Sequence, residues 1–220
     1  VAVRRAVAEN PRTPNAADVA LSRDPDMSVR CLLARKLVGD GLDAGERQKL
    51  WRMGFTILET LMRDKLVQVR QVLATGFSAA ADAPPDIVSG LAFDSEENVG
   101  SRVLAESPLL TDSQLIGYLR NGAPVWGQKA IASRPSVSPE LGHALTEMAE
   151  LPALAAFAGN DRTAIDPDSL DLLVARCEAA EELQEPLVRR EDIGGSFLVR
   201  LARFVAAPVL DILCARKDID

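Results

Sequence analysis

The chain has 220 residues, 47% of them hydrophobic but only 4% aromatic, with a formal net charge of −7 and a pI near 4.9. That is enough apolar material for one or two domains. Its Ala, Leu and Val suit packed helices and argue against a sandwich or barrel. The negative surplus disfavours a nucleic-acid binder, which needs basic charge to displace counterions.

Val1–Ala8 opens as a helix already under way, apolar at Val1, Val3 and Val7 and without an N-cap. This reads as the continuation of a longer polypeptide. Arg4 and Arg5 are followed by no apolar run of the kind a secretory signal needs. Asn10-Pro11 stops this helix and Thr13-Pro14 starts the next, with Thr13 as N-cap and Pro14 at the first helical position. Ser138-Pro139 and Asp166-Pro167 repeat the device, and Asp43–Glu46 and Thr111–Gln114 are spaced as capping boxes.

A phrase recurs between these starts. Leu21-x-x-Asp24-x-x-x-x-Val29-Arg30 returns as Leu61-x-x-Asp64-x-x-x-x-Val69-Arg70 and as Leu91-x-x-Asp94-x-x-x-x-Val99. Self-similarity at such a period marks stacked helical units. Helical stripes run through Val29, Leu32, Leu33 and Leu37, and through Leu50, Ile57, Leu58 and Leu61. Val103–Pro108 realigns on Ala130–Pro135, and Pro139 on Pro167. The early units are lengthened by a loop over 39–45 and a long helix over 46–63. Asn121-Gly122 reads as a helix C-cap, and no strand alternation persists.

The expected fold is all-α, an α-α superhelix of six to seven helix pairs. Residues 1–195 form the repeats, and residues 196–220 form capping helices of the same solenoid domain. Near the C-terminus, Phe197, Leu198, Leu201, Phe204 and Val205 make a broad apolar face, and Pro208 should kink or end its helix. A homodimer through Phe197–Leu213 is one expectation for this face. The same stretch contains Arg200, Arg203, Pro208 and Asp211, which argues against a membrane span.

Asp-x-x-x-x-Val-Arg resembles the signature of HEAT repeats, and with Ala8-Glu9-Asn10-Pro11-Arg12-Thr13-Pro14 the chain also resembles the related variant leucine-rich repeats of bacteria. The resemblance implies a polar ladder linking successive units, carried by Asp24 with Arg30 and by Asp64 with Arg70. Asp94 has Gly100 in the Arg position, and the signature fades beyond it. Val69–Leu213 is similar to an uncharacterised bacterial family of HEAT-like proteins, through Leu91-Ala92-x-Asp94, Val103–Leu110 with Asp112, Ala130–Pro135 and Leu187–Arg190. That family brings no activity with it. Variant leucine-rich repeat relatives carry a cysteine-bound iron–sulfur cluster, for which this chain lacks clustered Cys.

No catalytic constellation is marked. His143 has no nucleophile beside it, and neither a nucleophile elbow nor a phosphate-binding Gly loop is present. Asp161, Asp166, Asp168 and Asp171 lack the Gly and distal Glu of a Ca²⁺ loop and read as a helix cap. Cys31, Cys177 and Cys214 are expected as buried small hydrophobes in a reducing cytoplasm. No metal or cofactor is expected.

The expected function is therefore a non-catalytic scaffold that binds a peptide or protein, basic or amphipathic, on a concave helical surface. Trp126, Arg102, Arg70 and Arg30 are the candidate contacts. The alternative is a HEAT-like nucleic-acid-binding protein or DNA glycosylase, which the acidic pI disfavours.

Overall fold

The computed structural model describes residues 1–39 and 41–216; of the C-terminal capping segment, 217–220 lie outside the described residues. The described residues are helical without any strand. They divide into two compact units, Val1–Leu110 and Thr111–Asp220.

The first unit packs its helices in two layers. One layer runs α1 (Ala2–Glu9), α3 (Met27–Val38), α5 (Val67–Phe77) and α7 (Glu97–Glu106), each against the next. The other runs α2 (Asn15–Leu21), α4 (Ala44–Met62) and α6 (Pro85–Ala92). The two layers bury their apolar stripes against each other. Leu33 and Leu37 of α3, Ile57, Leu58 and Leu61 of α4, Leu73 and Phe77 of α5, and Leu91 of α6 are essentially inaccessible. At about 1.5–3 kcal/mol per buried side chain, this apolar stripe is what holds helices of 7 to 19 residues that would be marginal alone.

The second unit repeats the plan. One layer holds α8 (Asp112–Arg120), α10 (Pro139–Met148), α12 (Pro167–Cys177) and α14 (Gly195–Leu201). The other holds α9 (Val125–Ala132), α11 (Leu151–Ala158), α13 (Gln184–Val188, preceded by a 3₁₀ turn at Glu181–Leu183) and α15 (Ala207–Cys214). Each unit is thus an α-α solenoid: three helix pairs and α1 in the first, four pairs in the second. The realigned segments Val103–Pro108 and Ala130–Pro135 end α7 and α9, and Pro139 and Pro167 each open a helix.

Local chemistry sets several of the helix starts. Asp43 with Glu46, and Thr111 with Gln114, complete both halves of their capping boxes. Ser138 and Asp166 cap α10 and α12, with Pro139 and Pro167 in the first turn. The Thr13 start differs from expectation. Pro14 itself is the cap residue of α2, and the Thr13 hydroxyl donates to Val7 O at 2.7 Å. That last-turn carbonyl of α1 also accepts the Asn10 N–H at 3.3 Å, so Thr13 adds a second donor at the end of α1. Pro208 also acts differently: α14 has already ended at Leu201, and Pro208 sits in the first turn of α15.

Candidate protein-interaction groove

The recurrent Asp and Arg build a continuous seam in the first unit. Each Asp folds back on its own turn, Oδ1 accepting from the backbone N–H two residues on: Asp26 at 2.9 Å, Leu66 at 2.9 Å and Glu96 at 3.0 Å. Each Arg then reaches the Asp of the following phrase with two N–H groups. Arg30 meets Asp64 at 2.5 and 3.1 Å, and Arg70 meets Asp94 at 2.6 and 3.0 Å. Arg4 meets Asp24 in the same way, at 2.7 and 3.3 Å. A further N–H of Arg30 and of Arg70 donates to the backbone carbonyl of Asp24 and of Asp64, at 2.5 and 2.7 Å. Within one phrase the link is therefore Arg to carbonyl, and between phrases it is Arg to carboxylate. The hydrogen bond that each guanidinium donates to its carboxylate raises the pKa of Arg30 and Arg70 above its ordinary value, against the opposing effect of burial.

This seam fixes the register of α3, α5 and α7, and so decides which residues share their outer face. Counting from Arg30, Arg70 and Gly100, one row places Ser28, Gln68 and Asn98 together, and the next Cys31, Gln71 and Ser101. Between α3 and α5 this face holds a groove of about 600 Å³, lined by Cys31, Arg35, Gln68, Gln71, Val72 and Thr75 together with Val38 and Gly76. Gln68, Gln71, Thr75 and Arg35 are exposed, and Cys31 and Val72 are half-buried beneath them. The groove thus offers two amides, a hydroxyl and a guanidinium above an apolar floor. Arg35 is its single charge among the described lining residues.

The second unit has a different seam. Asn160 donates to Ala132 O and Arg134 O at 2.9 and 2.8 Å. Arg190 donates to Ala158 O and Asn160 O at 3.3 and 2.6 Å, and Arg216 to Val188 O and Arg190 O at 2.8 and 2.5 Å. Each member reaches the C-terminal end of the preceding helix in its own layer, Asn160 that of α9, Arg190 that of α11 and Arg216 that of α13, satisfying carbonyls a helix leaves open. A buried amide pair reinforces this: Gln128 accepts from Glu150 N at 2.7 Å and Gln184 from Ala206 N at 3.0 Å, 22 residues on in both cases.

Residues 99–220, more than half of the chain, match the family described as an uncharacterised protein conserved in bacteria, DUF2336. The chain belongs to the DUF2336 family. No curated protein and no solved structure matches it. The DUF2336 match spans the second unit with its side-chain-to-carbonyl seam and begins within α7, so the groove between α3 and α5 lies ahead of it.

The sequence-derived candidates occupy distinct places in this DUF2336 protein. Arg30 and Arg70 are held in the seam with side chains 11% and 12% exposed. Arg102 is exposed on α7, and its Nε donates to Glu106 at 3.0 Å. Trp126 is half-buried at the start of α9 in the second unit. Trp51 is buried; its Nε1 donates to Leu37 O at 2.9 Å and its ring stands edge-on to Phe77 at 5.6 Å. His143 is exposed and lies 3.4 Å from Glu147. Of the acidic cluster, Asp166 caps α12 and Asp171 pairs with Arg200.

The cysteines depart from a uniform buried set. Cys177 is buried, Cys31 half-buried and Cys214 exposed. Burial pushes the Cys177 thiol up to about 12. In the Phe197–Leu213 stretch, Leu198, Leu201, Val209 and Leu213 are buried, while Val199 and Leu210 remain 55% and 38% exposed. Gln68, Gln71 and Arg35 escaped sequence reasoning, because exposed amides look like any solvated helix face. Their register against Arg30 and Arg70 was the available signal.

Proposed function

We propose that this protein is a non-catalytic scaffold that binds a protein or peptide partner along the outer face of α3 and α5. The observation that carries the reading is the groove of about 600 Å³ between those helices, with Gln68, Gln71, Thr75 and Arg35 presented over Cys31 and Val72. A volume of that size, with an apolar floor and a few polar groups, suits a bound side chain or a short stretch of chain. A seam of paired Arg and Asp supports it by fixing the helices on which those side chains stand. We read the repeats as HEAT-like on the strength of the same seam, and the protein as cytoplasmic on the exposed free thiol of Cys214.

Capture from a lysate of the source cell tests this, using the whole chain and its Val72→Arg variant, which fills the groove. The reading expects a reproducible set of proteins held by the wild type and lost by the variant. Identical retention by both, with both folded, would contradict it.

A further inference from the structure

We infer that the groove between α3 and α5 takes an extended peptide segment bearing an acidic side chain, with Arg35 gripping the carboxylate and Gln68 and Gln71 holding the peptide main chain. This rests on the reading of the groove as a partner site and specifies its occupant. Charge is the first argument. The protein is acidic overall, yet the first unit carries 14 Lys and Arg against 15 Asp and Glu, and the second 11 against 17. The groove departs further from that balance: its described lining holds Arg35 and no carboxylate. The neighbouring cations Arg30 and Arg70 are engaged by Asp64 and Asp94, whereas Arg35 is exposed and makes no ion pair among the described residues. An unpaired guanidinium presents a planar fork of donors that a carboxylate meets with two parallel hydrogen bonds.

The amides supply the second argument. Gln68 and Gln71 lie one turn apart on α5, so their side chains emerge about 5–6 Å from each other. An extended chain repeats its N–H and C=O on one edge every ~6.8 Å. Two amides, each with a donor and an acceptor, match that repeat within the reach of a glutamine side chain. Thr75 stands one turn further along; its hydroxyl donates to Gln71 O at 2.8 Å and keeps its acceptor capacity. Cys31 and Val72 form the apolar floor for a side chain pointing inward.

Fluorescence anisotropy with the full chain tests the proposal. The probes are acetylated nonapeptides of Ser, Thr and Val with Asp, Glu, Gln or Lys at the centre, and a 15-nucleotide single-stranded DNA. Arg35 is exposed, so Arg35→Gln and Arg35→Glu should melt with the wild type. The expected result is that central Asp or Glu binds about tenfold tighter than Gln. That increment should vanish in Arg35→Gln and pass to Lys in Arg35→Glu. Peptides that bind and are lost in Val72→Trp, which fills the groove without adding a cation, but with no acidic preference or one that survives Arg35→Gln, would overturn this inference and leave the groove reading standing. Binding that is absent, or unchanged in Val72→Trp, would remove both. DNA binding tighter than every peptide, lost in Arg35→Gln, would overturn the peptide assignment in favour of an anionic polymer.

Discussion

Arg30 and Asp64 stand 34 residues apart in sequence, yet meet through two N–H to carboxylate hydrogen bonds of 2.5 and 3.1 Å with both side chains largely shielded from water. Arg30 also holds the Asp24 carbonyl, so one side chain ties three segments together. Arg30→Ala leaves the Asp64 carboxylate in place without its partner. Its cost should be about 2 kcal/mol, between the ~0–1 of exposed pairs and the 3–5 of fully buried ones. Arg102→Ala, on an exposed side chain, should change stability by less than about 0.5 kcal/mol. Urea unfolding of both variants checks the contrast, and equal effects would contradict it.

Acid should loosen the first unit only once pH falls into and below the ordinary carboxylate range. The Asp26 backbone N–H, with help from Arg4 and against burial, holds Asp24 below its ordinary value. The Ser78 hydroxyl, then Arg102, does the same for Glu106. Both native groups therefore hold their protons more weakly than in the unfolded chain, where Asp and Glu titrate near about 3.9 and 4.3. Their contribution is complete above those values and is lost as pH falls through the lower native ones. Urea midpoints should be level from pH 7 to 5 and drop below about pH 4, less steeply in Asp24→Asn.

Much of this architecture is legible in the residues. Asp43–Glu46, Thr111–Gln114, Ser138-Pro139 and Asp166-Pro167 mark helix starts, because a cap needs only residues within one turn of each other. The Asp–Arg phrase marks the repeat but hides its pairing. Asp24 and Arg30 sit six apart, and only the stacking of one helix on the next brings Arg30 to Asp64. The seam of the second unit is harder still. Asn160, Arg190 and Arg216 differ in chemistry and follow one another at intervals of 30 and 26 residues, and their acceptors are backbone carbonyls that leave no mark in a sequence.

That second seam should be sensitive to side-chain geometry. Arg190 is 4% exposed, and its guanidinium serves the carbonyls of Asn160 and Thr163, both at 2.6 Å. Arg190→Lys keeps the charge but not the fork of donors. It should cost about 1–3 kcal/mol through unsatisfied buried carbonyls. Thermal unfolding followed by circular dichroism measures this, and a wild-type melting temperature would refute it.

Close helix packing gives a prediction of opposite sign to intrinsic propensity. A Cβ at Gly76 would lie 2.3 Å from Val38 Cγ1. Ala in a helix is favoured over Gly by about 1 kcal/mol, but overpacking costs about 1–3 kcal/mol. Gly76→Ala should therefore destabilise, and Val38→Ala in the same chain should recover part of the loss. A more stable Gly76→Ala would show that α5 shifts freely away from α3.

Thiol chemistry should rank the cysteines. Cys214 is exposed, Cys31 half-buried with its thiol pushed up by burial, and Cys177 buried with a thiol near 12. The thiolate is the reactive form. Maleimide labelling at pH 7.5, read by mass spectrometry, should modify Cys214 first, Cys31 more slowly and Cys177 only in denaturant.

The groove is reached most directly by a photo-cross-linking benzophenone side chain placed at Gln71, and for comparison at exposed Arg63 on the turn before α5, in cells carrying the full chain. Irradiation should give a discrete partner adduct from position 71 that is absent from position 63 and disappears when Val72→Arg is added. Adducts from position 63 alone, or equal adducts from both positions that persist with Val72→Arg, would contradict a partner seated between α3 and α5.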